Sequence, residues 1–500
     1  MLFNSYVFIF VFLPATWIVW FFLNRAGRTI YINAWLALSS LVFYGFWNPR
    51  FVVILLLSAG VNFLIAKKIL AVEKNFRKPL LILGILFNIL LLGYYKYTGF
   101  LFSNLGFSLG NIVLPLGISF YTFQQIAYLV DSYNRDAEEP DFIKYILFIT
   151  FFPHCIAGPI VHHREMMPQF GQAHKNVTEN FTIGLTIFVI GLFKKVVIAD
   201  PLGSQSTSIF FLAAHGYSPT LIEAWGAALC YTFQIYFDFS GYSDMAVGLA
   251  RMFGIKLPIN FASPYKAVSF IDFWRRWHIT LSRFLRNYIY IPLGGNRHGK
   301  SRQVANILVT MLIGGFWHGA SWMMIIWGMM HGALLAVNHI IRWLKFPKIP
   351  LQLVRALIFL TIVFTWVPFR SESLPAMTEI YQGMLGLNGL VIPDMLGWIV
   401  DFLIPNLHYN TGGLNFNGNA VFFLILIAAA ITWFFPNTYQ WMQRTEPALP
   451  VKDYPETNIE VKHGEFAWRA NPGHALIISL LFFLSLLKLT DVSEFIYFQF

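Results

Sequence analysis

What this chain has least of is charge. Asp, Glu, Lys and Arg make up 12% of its 500 residues, about half the share carried by a soluble protein. Whole stretches have none: Tyr97–Val130, Gln303–Ile341 and Phe402–Gln443, with shorter runs over Met1–Leu23, Pro79–Tyr95 and Ala470–Leu487. At 57% hydrophobic and 18% aromatic, a soluble fold could not hide its apolar surface, so a string of soluble domains is excluded. Cysteine is scarce as well. Cys155 and Cys230 both sit in apolar segments, which leaves no disulfide framework and no thiolate metal site. The first apolar run lacks a basic leader and a small-x-small cleavage site before Asn24, so it is expected to remain as a first helix. The patterns G-x-S-x-G, H-E-x-x-H and paired C-x-x-C are absent. A serine hydrolase of the elbow type and the common zinc sites therefore lack support, and no metal is expected.

What is present reads as membrane helix. Each long run exceeds the roughly 20 apolar residues that cross a bilayer. The runs are apolar on all sides rather than alternating, so helices are favoured over barrel strands. The expectation is an all-α integral membrane protein, one polytopic domain over residues 1–500 with roughly 11 spans. Candidate spans lie near residues 5–23, 30–47, 51–70, 79–95, 112–130, 142–161, 178–199, 222–250, 304–341, 352–369, 420–435 and 473–488. In Leu114-Pro-Leu-Gly-Ile-Ser119, Pro and Gly stand where a helix would start, which predicts a broken or re-entrant element.

The net charge of +11 follows the spans. Arg25 and Arg28 follow the first span, and Lys67, Lys68, Lys74, Arg77 and Lys78 follow the third. The positive-inside rule puts those loops in the cytoplasm and the amino terminus outside. The largest basic block, Lys266–Arg302, sets eight cations against the single acid Asp272, and it faces the cytoplasm by the same rule. No soluble module carries these charges, so nucleic-acid binding is not expected.

Within that block, Phe270, Phe273, Trp274, Trp277, Leu281, Phe284, Leu285 and Tyr288 recur at helical spacing and predict one amphipathic interfacial helix over Phe270–Tyr288. His278 borders its apolar face. The segment Gly294–Ser301 matches the phosphate-loop pattern, but the preceding Ile289-Tyr-Ile-Pro292 ends in a proline and argues against the buried strand such a loop needs. It reads as a basic turn. His318, His331 and His339 lie inside a charge-free run, where ionisable groups are costly and usually functional. His331 follows His318 by thirteen positions. On an unbroken helix the two would be about 20 Å apart and on different faces, so they can meet only if the helix breaks near Gly319–Ser321. His339 is close to Arg342 and reads as interfacial. Asp238 and Asp244 lie in Phe237-Asp-Phe-Ser-Gly-Tyr-Ser-Asp244 and are expected to form buried ion pairs, with Arg275 or Arg276 as partners.

Four ordered motifs carry a family resemblance: Phe237-Asp-Phe-Ser-Gly-Tyr-Ser-Asp-Met-Ala246, Asp272-Phe-Trp-Arg-Arg-Trp-His-Ile-Thr-Leu-Ser282, Tyr290-Ile-Pro-Leu-Gly-Gly-Asn-Arg297 and Trp317-His318-Gly319. Together with the final Phe495–Phe500 they resemble the membrane-bound O-acyltransferases (MBOAT), in particular the bacterial branch that O-acetylates alginate and other polysaccharides. The resemblance implies a ring of tilted helices around a thinned centre, plus interfacial or re-entrant helices. It implies a core over about residues 100–400, a catalytic region at 237–341 and a carboxyl-terminal extension over about 400–500. The family's catalytic histidine maps onto His318, its second polar residue onto His278, and a later helical histidine onto His331. Trp317, Trp274 and Asp272 are expected to support them.

The activity implied is transfer of an acetyl group to an extracytoplasmic polysaccharide, alginate-like above all. Acetyl-CoA is expected as the donor substrate, with no tightly bound cofactor. Arg275, Arg276, Arg283 and Arg286 are candidates for its phosphates. A periplasmic acetyltransferase partner, the polysaccharide acceptor and the lipid bilayer complete the expected partners, in a bacterial inner membrane. Two rivals stand beside this reading: D-alanyl transfer to teichoic acid, and a transporter or polymer-export channel with a histidine proton relay. Transporters often carry inverted repeats, and none is evident.

Overall fold

The apolar runs fold as helices. The computed structural model describes residues 1–107, 110, 112–137, 141–344, 349–392, 401–402, 410–411, 414–451, 454, 467–489 and 495–496. Helices α1 (Leu13–Arg25), α2 (Thr29–Gly45), α3 (Pro49–Ala71) and α4 (Lys74–Leu92) come first. A π-helical turn, Gly93–Tyr97, joins α4 to α5 (Thr98–Asn104). Then come α6 (Ile118–Tyr133), α7 (Phe142–Thr150), the single turn α8 (His163–Met166), α9 (Val177–Phe193), α10 (Asp200–Ala214) and the long α11 (Leu221–Met252). The remainder is α12 (Phe270–Arg276), α13 (Ile279–Leu285), α14 (Gly299–His318), α15 (Trp322–Trp343), α16 (Leu351–Arg370), α17 (Leu374–Met384), α18 (Gly418–Phe434), α19 (Thr438–Trp441) and α20 (Pro472–Lys488). The strands among the described residues are a two-residue parallel pair, Val391–Ile392 with Asn410–Thr411.

Among the described residues, six helical segments are long and apolar enough to cross a bilayer: Phe8–Arg25, Pro49–Ala71, Lys74–Asn104, Val177–Ala214, Trp322–Trp343 and Leu351–Arg370. Three apolar helices are shorter, α2, α18 and α20. α6, α11 and α14, on three further predicted spans, do not reach the same combination of length and apolarity, so the nine segments named first fall short of the roughly eleven expected. Leu57, Leu64, Phe22 and Leu90 are more than 60% exposed, as lipid-facing side chains should be. α11 behaves differently: from Tyr236 to Met252 every residue is buried, so it is the central post. It packs on α9 with backbone nearly touching backbone. A Cβ on Gly184 would lie 2.5 Å from Gly248 O, and one on Gly191 would lie 2.5 Å from Gly241 O. Small residues at such crossings replace the hydrophobic drive that lipid removes.

Three expectations need correcting or completing. The span near 142–161 is helical only over Phe142–Thr150. Beyond it Phe151–Val161 is irregular and buried, because Pro153 and Gly158-Pro159 interrupt it and surrounding protein satisfies the freed backbone. The break at Leu114–Ser119 is present: Gly117 takes φ +72° and starts α6. The single amphipathic helix over Phe270–Tyr288 is instead α12, a kink at Trp277–His278, α13, and a π-helical turn Arg286–Tyr290. Its aromatic face is inserted into the protein, with Phe273, Trp277 and Leu281 buried. Gly294–Arg297 is a turn with no strand before it. Residues 497–500 of the terminal motif, and much of the expected carboxyl-terminal extension, lie outside the described residues.

Candidate active site

α14 ends at His318 and α15 begins at Trp322. The break falls at Gly319–Ser321, the place the spacing of His318 and His331 required. Ser321 caps α15, its Oγ accepting from Met324 N–H at 3.3 Å. The two helices fold back on each other because Gly315 and Gly328 face across the seam. A Cβ on Gly328 would lie 2.5 Å from Met311 O, and one on Gly315 would strike Met324 O. His318 is thereby delivered at the tip of a hairpin.

Every carbonyl in the last turn of α14 has a donor, as a buried helix end demands. Gly319 N–H reaches Gly315 O at 3.4 Å. Tyr97 OH donates to Phe316 O at 3.0 Å. Lys96 Nζ donates to Trp317 O at 2.6 Å and to His318 O at 3.2 Å, and also to Ser119 Oγ at 3.2 Å. A cation at a helix C-terminus complements the helix dipole.

His278 arrives by a different device. It sits in the left-handed region, φ +42°, a conformation that costs a non-glycine residue about 1–3 kcal/mol unless its surroundings enforce it. Asn260 enforces it. The Asn260 Oδ1 accepts from Thr280 N–H at 3.2 Å and from Thr280 Oγ1 at 3.0 Å, and lies 3.2 Å from His278 Nδ1. Ile279 N–H donates to Asn260 O at 3.0 Å, and Ala262 N–H to Arg276 O at 2.9 Å. The extended segment before α12 thus takes over the hydrogen bonds that the kink removes from the helix. The rings of His278 and His318 come within 6.3 Å, and both contact Trp317. Both residues are buried.

His331 joins from α15, but Trp327 stands between it and His318, 4.7 Å from one ring and 5.1 Å from the other. The Trp274 indole N–H donates to His331 Nδ1 at 3.3 Å. The neutral ring then carries its proton on Nε2, which has no hydrogen-bond partner among the described residues. His339 stays apart, 3.5 Å from Gln303 Nε2.

Two cavities flank the histidines. One, of about 510 Å³, is lined by Trp274, Arg275, Arg286, Tyr290, Met311 and His339, on the side of the basic block. The other, of about 870 Å³, is lined by Lys96, Gly319, Ser321, Met324, Phe369 and Arg370. Trp274 on the first wall touches His331 and Trp327. Phe369 on the second touches His318 and Trp327, at 5.3 and 5.1 Å. A chain of ring contacts, Trp274–His331–Trp327–His318–Phe369, thus runs from one cavity wall to the other, and His278 adjoins it at His318.

The four arginines separate into two pairs. Arg275 and Arg286 line the first cavity. Arg276 is held by Asp272 at 2.7 Å and Ala262 O at 3.2 Å, which makes Asp272 a support for the kink. Arg283 is bound to Glu165. Burial alone would raise the Glu165 carboxyl, but the Arg283 guanidinium outweighs it and holds the group below the usual carboxylate range. The expected pairing of Asp238 and Asp244 with Arg275 or Arg276 is replaced. Asp238 binds Lys195 at 2.5 Å and Asp244 binds Lys194 at 2.6 Å, because the π-helical turn Lys194–Ala199 leaves α9 directly beside α11. Two residues of the site escaped the sequence reading, Lys96 and Asn260. Lys96 had a signal: it is a lone cation between two charge-free runs. Asn260 had none.

The chain was compared with known proteins. The family description "MBOAT, membrane-bound O-acyltransferase family" matches residues 129–367. A peptidoglycan O-acetyltransferase of Helicobacter pylori is 45% identical over 444 residues, covering 81% of this chain and 83% of the relative. A probable alginate O-acetylase AlgI of Pseudomonas aeruginosa is 41% identical over 400 residues, covering 77% and 75%. A teichoic acid D-alanyltransferase of Streptococcus thermophilus is more distant, 30% identical over 256 residues, covering 47% and 58%.

Proposed function

The chain belongs to the membrane-bound O-acyltransferase family, and we propose that it passes an acetyl group from a cytoplasmic thioester to an extracytoplasmic polysaccharide. The observation that supports this reading is the chain of ring contacts through His331, Trp327 and His318, which links Trp274 on a cavity lined by Arg275 and Arg286 to Phe369 on a second cavity beyond the hairpin tip. Substrates approaching from opposite faces would meet there. The printed names of the two more similar relatives support acetyl as the group and a glycan as the acceptor. The alanyl-transferring relative covers less than half of this chain.

In this mechanism Arg275 and Arg286 hold the phosphates of acetyl-CoA, and no tightly bound cofactor takes part. The acceptor hydroxyl enters through the second cavity. His318 removes its proton as the oxygen attacks the thioester carbonyl, a contribution of about 10²–10⁴. The C–O bond forms, the C–S bond breaks, and the thiol leaves with a proton. His278, whose Nδ1 faces the Asn260 side-chain carbonyl oxygen, positions the thioester donor. Lys96 and Trp274 are positioning residues, one for the backbone of His318 and one for the ring of His331. A periplasmic protein receives or finishes the transfer, at the bacterial inner membrane.

Purified protein given radiolabelled acetyl-CoA and a soluble hydroxyl acceptor tests this. Labelled ester is expected with the wild type and not with His318→Ala. In cells, a polymer that stays fully acetylated in a His318→Ala strain would sink the mechanism. Ester-linked alanine in place of acetate would point to the teichoic-acid reaction. Ester-linked acetate measured separately on exopolysaccharide and on peptidoglycan identifies the polymer.

A further inference from the structure

No sequence motif announces a metal site, yet one set of ligand-type side chains converges away from the catalytic histidines. Asp131 lies on the last turn of α6. His162 and His163 begin α8, and Tyr288 belongs to the π-helical turn Arg286–Tyr290. His162 Nε2 is 3.1 Å and His163 Nε2 3.0 Å from Asp131 Oδ2. Tyr288 Oη is 3.1 Å from both carboxylate oxygens and 2.5 Å from His162 Nε2. Zinc held at about 2.0–2.1 Å by nitrogen and oxygen in a tetrahedron sets its ligand atoms about 3.3 Å apart. The two carboxylate–imidazole spacings are slightly contracted from that value, the three ligand atoms all lie within 4.8 Å of one another, and the shorter Tyr288–His162 contact is a hydrogen bond that would open on metal binding.

Charge balance points the same way. The Asp131 side chain is 8% exposed, and its ion-pair partners among the described residues are the two histidines alone. The surrounding arginines are engaged elsewhere, Arg135 with Leu70 O, Arg164 with Asp136 and Arg283 with Glu165. A buried carboxylate without a fixed cation is costly, and a divalent ion between two imidazoles and a carboxylate removes the cost.

We propose that Asp131, His162 and His163 bind a zinc ion, with the Tyr288 hydroxyl offering a fourth oxygen. The three protein segments so joined come from α6, from the irregular stretch after Val161 and from the turn that carries Arg286 and Tyr290, both of which line the first cavity. The ion is a clip for that cavity wall. It takes no part in acyl transfer, and the proposal stands whether or not the acceptor above is correct.

The full chain, purified in detergent without a histidine tag, is analysed for metals by mass spectrometry. About one zinc per chain is expected in the wild type. Asp131→Asn and His163→Gln should each lower the content about tenfold or more, while His154→Gln, at a buried histidine outside the cluster, should leave it unchanged. Because a ligand variant can misfold, wild-type protein stripped with a chelator is also titrated with zinc chloride. Heat of binding and a raised melting temperature are expected. A wild type that is metal-free and takes up no zinc overturns the proposal and leaves a hydrogen-bonded carboxylate. Zinc retained in Asp131→Asn, or lost equally in His154→Gln, overturns it as well.

Discussion

The two breaks that present His278 and His318 look alike and are built differently. The break after His318 is local. Gly319 ends one helix, Ser321 caps the next, and paired glycines let the hairpin close. The break at His278 has no glycine or proline in it. Asn260, eighteen residues upstream, holds it open through Thr280 and His278. One break is made by its own sequence and then capped from outside by Lys96 and Tyr97; the other is opened by a remote segment. A helix can therefore be bent at membrane depth wherever a tertiary partner collects its orphaned hydrogen bonds.

Variants at the two breaks sharpen the contrast. The largest effect is expected for His318→Ala, a loss of about 10²–10⁴ in turnover with the melting temperature little changed. An unchanged turnover would remove His318 from the chemistry. Asn260→Ala comes next. It touches neither cavity, yet it should cost about a hundredfold by misplacing His278. If Asn260→Ala is fully active while His278→Ala is not, the remote support is dispensable and the comparison fails. Gly315→Ala acts on the other break, driving a methyl into the Met324 carbonyl. About 1–3 kcal/mol of stability should go, read as a lowered melting temperature in detergent.

Lys96→Met should be milder, about 1–2 kcal/mol, since it leaves two carbonyls of the hairpin tip without their cation. Lys96→Arg should recover part of it. The smallest effect belongs to Asp272→Asn. Its pair with Arg276 is an i,i+4 contact that is partly exposed on both sides, and such pairs contribute about 0.3–0.5 kcal/mol. A larger loss would mean that the pair shapes the kink itself.

How far the sequence reached follows the same division. Features written in local chemistry were legible: the apolar spans, the broken start of α6 at Gly117, the break at Gly319–Ser321. The motif match led to His278 and His318, which the fold brings to within 6.3 Å of each other. Features made by distant partners were not legible. The Phe270–Tyr288 stretch has helical periodicity throughout, and nothing in it reveals that Asn260 will split it. Asp238 and Asp244 were read as ion-paired, but their partners were sought among the arginines of the basic block. The true partners, Lys194 and Lys195, became available only because a π-helical turn swings two lysines against α11. Lys96 stands alone between two long neutral runs, and such an isolated cation is itself a signal.

The glycine contacts between α9 and α11 have a consequence for motion. Gly184 meets Gly248, and Gly191 meets Gly241, seven residues apart along each helix. Two backbone contacts fix a helix pair as two hinges fix a door frame. Sliding α9 along α11 would bring flanking side chains onto the opposite carbonyls. Carriers that move cargo by rocking one half of the molecule against the other need such a seam to give, and close backbone contacts at two points oppose that. If the proposed transfer is correct, the two cavities would be joined by ring rotations around Trp327, a shutter rather than an airlock. Such a shutter would suit the hand-over of a small group and would keep larger molecules on their own sides.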